Sequence, residues 1–594
     1  MTTLIADSET DGFLDTLTRI WTIQIGDADT DEVTIYADQP GYPSLAQAAE
    51  RLRHADRVVF HNGVKFDYEV INRFFPGAVR RETLFDTLVA ARLLDPEERE
   101  NSLEAWGRRL GLLKGDYKGD FKQFDRELVT YARQDIVVGR ALYHKVKVVE
   151  TWGQSFPLEM DTAFAIAAQE RNGFRLDVRK AEALEADLRG QIADMTIALR
   201  DVFAPRWVRK EKEDFVPKGD NRAMGYVKGC PLTKVELQVF NPASRFQVAD
   251  RLILAGWQPK AFGKDGHPTV DEAVLAALPF PEAKRLVEFF TLQKMLGQLS
   301  DGKNGWLKLV RPDGRVYGAV NPNGACTGRM SHFAPNMAQV SGDHRMRELW
   351  VPRDGWSLVG CDAEGLEARM LAHYLARYDG GAFGRMLLEG RKEDGTDVHS
   401  ANRNAVNRIG YAVDRQGAKT LLYALIYGAQ DPKLGRTVIE NLREQGLPAP
   451  RLEPRKIGWR VRAALATSMV GIDKLIDAVK ETAKTRGYLV ALDGRHLFVR
   501  AQHAALNTLL QGGGAIVMKK ALCIFDYVHG PTRGDFWAYC ANVHDEVQME
   551  VMPDHADLYG REFAGAITAA GEHFNLRCPL AGDFKVGASW AETH

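Results

Sequence analysis

Apolar and polar residues alternate with period two along the first part of the chain and recur at helical spacing along the last part. TLIAD (3–7), RIWTIQIG (19–26) and DEVTIYAD (31–38) predict the strands of an antiparallel meander. DRVVFHNGVKFD (56–67) predicts a buried strand at 58–60, a turn at Asn62-Gly63 and a helix opened by Asp67. Further on, SLVGCDAEGLEARMLAHYLAR (357–377) predicts an apolar strand that ends in Asp362 and passes into a helix. DRQGAKTLLYALIYGAQ (414–430) and HAALNTLLQGGGAIVMKK (503–520) predict helices. ANVHDEVQME (541–550) predicts two strands joined by a tight turn, although His-Asp is a poor turn pair beside Asn-Gly.

The acids within these elements fall into two sets. Asp7 and Glu9 stand at i and i+2 on one strand face, Asp67 opens a helix, and Tyr131 and Asp135 lie one helical turn apart. Taken singly, these are a strand-end carboxylate, a helix cap and a surface pair. Taken together, four neighbouring carboxylates cannot all stay ionised without cations. Two Mg²⁺ ions about 4 Å apart would balance them and activate a water against a phosphodiester, with Tyr131 orienting that water. In the second set, Asp362 and Asp545 could face each other from neighbouring strand ends, which suits two-metal phosphoryl chemistry on a nucleotide.

Arg415, Lys419, Tyr423 and Tyr427 recur every fourth residue; at ~100° per residue each step drifts only ~40°, giving one stripe. Its cations suit a triphosphate and its rings a base and sugar. The bland reading is a solvated face with two half-buried tyrosines. Asp397 and His399 add a further candidate contact to the phosphates. His503, Asn507 and Gln511 share another helix face, and Arg329 and Gln339 lie in NPNGACTGRMSHFAPNMAQ (321–339). Such groups can bond the minor-groove acceptors that every base pair presents similarly, testing pair geometry without reading sequence. Asn507 fits equally well as a satisfied core amide.

The length of 594 residues predicts several domains, and the 45% apolar, 26% charged composition that of a globular chain. No window approaches the ~18 uninterrupted apolar residues of a membrane span, so no membrane partner is expected. Six scattered cysteines without a CxxC pair argue against zinc and for a reducing, cytoplasmic setting. A net charge of −1 leaves nucleic acid open, because polyanions need only a local basic surface. Residues 206–234, with eight Lys/Arg against four acids, and RLEPRKIGWRVR (451–462), basic around Trp459, are the candidates.

In this order the residues resemble family A DNA polymerases over essentially the whole chain. The likeness rests on TGRMSH with PNMAQ, DAEGLEAR, R-x-x-x-K-x-x-x-Y-x-x-x-YG at 415–428 and VHDE, preceded by the DxE, HNxxxFD and YxxxD of a proofreading nuclease. SLEAWG, HAALNTLLQ and the final Trp-x-x-x-His point to the single-subunit replicative enzymes of podophages. The resemblance implies a multidomain α/β and α+β fold, an RNase H-like 3′-5′ exonuclease followed by a right-hand palm, fingers and thumb. It implies a primer-template partner, dNTPs, two Mg²⁺ per active site with Mn²⁺ able to substitute, and the host cytoplasm if phage-encoded. It assigns the exonuclease metals to Asp7, Glu9, Asp67 and Asp135, and the polymerase metals to Asp362 and Asp545 with Glu546 nearby. Arg415, Lys419 and His399 are assigned to the triphosphate, Lys419 also counting as catalytic. Tyr423 and Tyr427 are assigned to sugar and base, and Glu367 to a steric gate against a 2′-hydroxyl. Arg329, Gln339, Asn507, Gln511 and His544 are assigned to the primer terminus or minor groove.

The expected boundaries are about 1–150 for the exonuclease, 151–305 for the thumb with a short basic insertion near 203–240, 306–395 plus 486–594 for the palm and 396–485 for the fingers. That insertion looks too short to carry thioredoxin over as a partner; another processivity factor or a replicative helicase-primase stays open. No 5′ nuclease is expected ahead of residue 1. Glu364 departs from the family pattern, adding a carboxylate close to Asp362. The competing expectation is a 3′-5′ repair nuclease whose C-terminal half only holds DNA.

Overall fold

The alternating N-terminal segments form a five-stranded sheet. β1 (Thr3–Thr10), β2 (Ile20–Asp27) and β3 (Val33–Tyr36) make the antiparallel meander that the alternation predicts. β4 (Arg57–Phe60) pairs parallel to β1, and β5 (Leu84–Asp86) parallel to β4, giving the order β3-β2-β1-β4-β5. This is the RNase H-like arrangement. Between β4 and β5 runs α1 (Asp67–Phe74), and after the sheet comes α2 (Arg126–Val146), whose first turn is capped by Asp125. The computed structural model describes residues 2–113, 117 and 119–594.

α3 (Ser155–Asn172) is buried nearly all round. Phe156, Met160, Ala163 and Phe164 join the core under the N-terminal sheet, whereas Leu158, Ala165 and Ile166 join the core of the C-terminal half. A helix apolar on every side has to be enclosed, and this one is shared between two cores. The expected thumb boundary at 151 therefore does not match the packing. One compact unit comprises Met1–Phe174, Tyr317–Gln339 and Val351–His594; the other comprises Arg175–Val316 and Val340–Trp350.

Within that second unit, α4 (Val178–Val202) packs on α5 (Pro281–Leu296). The basic insertion between them contains a β-hairpin rather than a plain loop. β6 (Arg206–Arg209) pairs antiparallel with β7 (Val235–Gln238), and bridges at Phe215–Leu232 and Asn221–Tyr226 continue the ladder. Some of its cations are paired locally, Arg209 with Asp214 (2.5 Å) and Lys234 with Glu211 (3.3 Å).

In the C-terminal half, β8 (Ser357–Ala363) leads directly into α6 (Leu366–Asp379). Among the helices that follow are α7 (Val398–Arg408), α8 (Arg415–Ile426), α9 (Asp431–Glu444) and α10 (Pro454–Ser468). Then come α11 (Ala505–His529), the hairpin β9 (Trp537–Val543) and β10 (Glu546–Val551), α12 (Ala556–His573) and β11 (Gly582–Gly587). The sheet order is β9-β10-β8-β11, antiparallel throughout. α11 is long and apolar enough to cross a membrane, but 83% of its apolar window is buried inside the protein. It carries Gly512-Gly513-Gly514 in mid-course, at a cost of about 1 kcal/mol per glycine relative to alanine. A Cβ on Gly513 would lie 2.9 Å from Met370 Sδ and one on Gly514 3.2 Å from Leu366. The glycines thus let α11 press against α6, directly behind the strand end that carries Asp362.

Candidate functional site

Two carboxylate clusters stand out, both in the first compact unit. In the N-terminal one, the strand period puts Asp7 and Glu9 on one face of β1, and α2 supplies Asp135 one turn after Tyr131. Carboxylate oxygens of Asp7, Glu9 and Asp135 all lie within 4.8 Å of one another. Sheet register adds Gln24, directly opposite Asp7, whose Nε2 donates to Asp7 Oδ2 at 2.6 Å. Asp67 is buried at the first position of α1 and is not a cap. Ser8 Oγ donates to its Oδ1 at 2.6 Å, while burial and then the charge of Asp7 push its acid well up. Three of the four predicted acids therefore converge, and the fourth is held beside them.

Sequence reasoning missed Asp86 here. Buried at the end of β5, it accepts the backbone N–H groups of Asn62 (3.0 Å), Val64 (3.0 Å) and Leu88 (2.8 Å). It thereby shapes the turn in which Asn62 adopts φ +65° ahead of Asp67. A cavity of about 730 Å³ opens beside Asp7 and Asp135, lined also by Arg92, Arg99 and Arg108. Phe13, 84% exposed, borders a second opening beside Glu9 and Asp67. Cations and a bare ring at the rim suit a nucleic-acid strand.

At the C-terminal cluster the predicted hairpin is present. His544 and Asp545 form its two-residue turn, closed by the pair Val543–Glu546. His544 has φ +61°, a left-handed conformation that a non-glycine residue adopts at a cost and that recurs at functional turns. In the sheet, Asp362 is in register with Glu546 on one side and Asp583 on the other, and Ala363 N–H donates to Asp545 O at 3.1 Å. The Asp362 side chain is exposed at the strand end, yet partial burial of its carboxyl, then the charges of Asp545 and Glu546, push it up to about 7. Burial likewise raises Asp545.

Glu546 is tied differently from the two aspartates. It accepts from Trp590 Nε1 (2.5 Å) and Gln548 Nε2 (2.6 Å), and its other oxygen bonds His594 Nδ1 (2.9 Å). The terminal Trp-x-x-x-His thus anchors the hairpin, and Glu546 orients its tip. Glu364 turns to Arg369, whose Nη2 donates to it at 2.9 Å.

Across from these acids, Asp414 caps α8, which carries Arg415, Lys419 and Tyr423. The helix stops at Ile426, so Tyr427 is its capping residue, and the Tyr423 and Tyr427 rings lie 6.4 Å apart. Tyr427 OH donates to Glu367 Oε1 at 2.8 Å, and Arg329 Nη2 reaches the same oxygen at 3.3 Å. Arg415 is held by Asp397, to which its Nη2 donates at 2.9 Å. Burial pushes Asp397 up, but the bonds from Arg415 and Ser400 outweigh it and hold its carboxyl at about 2. Lys419 is exposed and makes no ion pair among the described residues. His399 has a buried Nδ1 without a partner, and burial, then Arg415, lowers its basicity.

Among the remaining predicted residues, His544 is exposed, and burial of its ring, then Arg329, lowers its basicity. Gln339 is exposed at the end of a short turn. Asn507 and Gln511 are half-buried on α11, with Asn507 Oδ1 lacking a partner, while His503 lies on a 3₁₀ turn just ahead of the helix. A Cβ on Gly512 would meet the Thr327 carbonyl at 3.3 Å, so α11 runs beside the loop carrying Arg329. Behind that loop sits Arg495, fully buried and paired with Asp493 (2.6 Å) and Glu159 (2.5 Å).

Both clusters offer only hard oxygen donors, and Asp67 in the first and Asp362 in the second hold their protons more tightly because of burial and a neighbouring carboxylate, which fits divalent cations of the Mg²⁺ and Mn²⁺ type. Comparison with known proteins bears on the whole chain. The model of DNA polymerase family A matches residues 231–592. The DNA-directed DNA polymerase of Enterobacteria phage T3 is 31% identical, covering 100% of both chains, and that of Escherichia phage T7 is 30% identical with the same coverage. A solved structure of the POL domain of Pol1 from M. smegmatis, in complex with DNA primer-template and dNTP, has a TM-score of 0.73 at 19% identity. It covers 100% of this chain and 96% of that one, a likeness of fold.

Proposed function

The chain belongs to DNA polymerase family A and is a DNA-directed DNA polymerase, and from that premise we propose that its two carboxylate clusters divide primer extension and 3′-5′ proofreading between them. Its fold is the multidomain palm, fingers and thumb arrangement of that family, which uses divalent metal ions. The observation that carries the proposal is the nearness of α8 to these acids: Tyr423 senses the charges of Glu367 and Asp545, and Glu367, bonded by Tyr427, acts in turn on Asp545.

Asp362 and Asp545 hold the polymerase metals, and Asp7, Glu9 and Asp135, with Asp67 behind them, hold the exonuclease metals. Bound there as pairs, Mg²⁺ ions supply the acidity and charge compensation that an in-line attack on a phosphodiester requires. Arg415 and Lys419 clamp the triphosphate, and the bond from Asp397 keeps Arg415 aimed before the nucleotide arrives. His399 adds a neutral contact. Glu367, fixed by Tyr427 and Arg329, crowds the place of a 2′-hydroxyl and selects dNTPs. Tyr423, beside it, offers a hydroxyl that replaces the missing 3′-OH of a dideoxynucleotide. Arg329, Gln339, Asn507, Gln511 and His544 hold the primer terminus and minor groove, and Tyr131 orients the hydrolytic water. Like the phage relatives it resembles, the protein would work in the cytoplasm of a host cell.

The test is extension of a labelled primer on a longer template with dNTPs or rNTPs. Extension with dNTPs alone is expected, and Glu367→Ala should admit rNTPs. Shortening of the primer under every condition would instead support a repair nuclease.

A further inference from the structure

One basic segment takes no part in the machinery above. α10 carries Trp459, 65% exposed, in a helix whose other large apolar residues, Ile457, Val461 and Leu465, are fully buried. A bare indole is an unusual surface group, since its large apolar area usually finds cover. At ~100° per residue, Arg455, Trp459 and Lys456 fall within an arc of ~100° on that helix. All three are exposed, and neither Arg455 nor Lys456 makes an ion pair among the described residues. Arg460, by contrast, is engaged, donating to Ile409 O at 3.0 Å and lying over Tyr411.

The face has a defined place. A Cβ on Gly458 would overlap the Asp431 carbonyl, so α10 and α9 touch backbone to backbone there. Arg462, on the edge of the same arc, pairs with Asp431 (2.8 Å) and donates to Ala429 O (2.7 Å). Residues 429–431 follow Tyr427, the end of the stripe on α8, after the single residue Gly428. The Trp459 face therefore borders the segment at which that stripe ends.

We propose that Arg455, Lys456 and Trp459 form a platform for the single-stranded template ahead of synthesis, the indole stacking on a base and the two cations holding flanking phosphates. The proposal rests on the polymerase reading. Single-stranded DNA is the occupant this surface fits, because a duplex presents no base face in mid-helix and two unneutralised cations beside an open ring match a flexible polyanion. Every base has a π face, so such a contact serves any template sequence.

The experiment compares binding of the full chain to primer-templates whose 5′ template overhang is about ten or about two nucleotides long, within the range of known single-strand sites. Trp459→Ala is expected to weaken binding of the long overhang about tenfold, the scale of one lost base stack, and to leave the short one unchanged. Trp459→Phe should keep most of the affinity. Arg455→Gln with Lys456→Gln should flatten the salt dependence on the long overhang only. Equal binding of the long overhang by wild type and Trp459→Ala would overturn the proposal. Equal loss on both substrates would overturn it too. Failure of the wild-type protein to extend either substrate would instead sink the polymerase reading beneath it.

Discussion

At the N-terminal cluster Asp7, Glu9 and Asp135 bring carboxylate oxygens within 4.8 Å of one another, all from the regular parts of a strand and a helix. At the C-terminal cluster Asp362 lies at a strand end and Asp545 on a strained two-residue turn, faced by the cations of α8. The acids of the first cluster are bonded by neutral helpers, Gln24 and Ser8, with Arg92, Arg99 and Arg108 lining the cavity beside them; the second is faced by an arginine and a lysine on one helix. A site that hydrolyses needs only water and the end of a strand, so a fixed acidic pocket suffices. One that joins a nucleotide must also grip a triphosphate and let pyrophosphate go, and so needs movable counter-charge.

Metal removal should have the largest effect: in EDTA, extension and shortening should both fall by about three orders of magnitude or more and return with Mg²⁺. Shortening that survives chelation would remove metal from the first cluster. Lys419→Ala comes next. Without this triphosphate contact, extension should drop roughly 10²-fold, the scale of one lost charge-stabilising donor, with shortening unchanged. A matching loss of shortening would mean that the two clusters are not independent.

A stability effect is smaller. Folded, Asp362 keeps its proton up to about 7, whereas unfolded it releases it near 3.8. Between those values the folded chain binds more protons, so stability falls as pH rises, and the loss is complete above 7. In EDTA, Asp362→Asn should therefore melt about 2 °C above wild type at pH 8, with the gap closing toward pH 5. Solvent screening of this exposed side chain keeps the effect small. A gap that widened on acidification would contradict the assignment of the shift. Least of all, Glu364→Ala should change the extension rate by less than about threefold, since Arg369 already neutralises that carboxylate.

Much of both clusters was legible in the sequence, for local reasons. Period two placed Asp7 beside Glu9, and one helical turn placed Tyr131 beside Asp135. The hairpin was legible from alternation even though its turn pair was poor. What pairs across long separations was not. Gln24 meets Asp7 only through strand register, and Glu159 meets Arg495 at a separation of 336 residues with no local signal. The break of α8 before Tyr427 had a cue that was passed over, Gly428 at φ +77°, a common helix stop. The hairpin within the basic insertion has weak alternation and exposed strands, so no period in the sequence marks it.

The most direct test of two independent clusters is a pair of single variants, Asp7→Ala and Asp545→Ala, each assayed for extension and for shortening of a labelled primer on template in Mg²⁺. The account predicts that Asp7→Ala extends but does not shorten, and that Asp545→Ala shortens but does not extend. Loss of both reactions in either variant, in protein that melts like wild type, would contradict it.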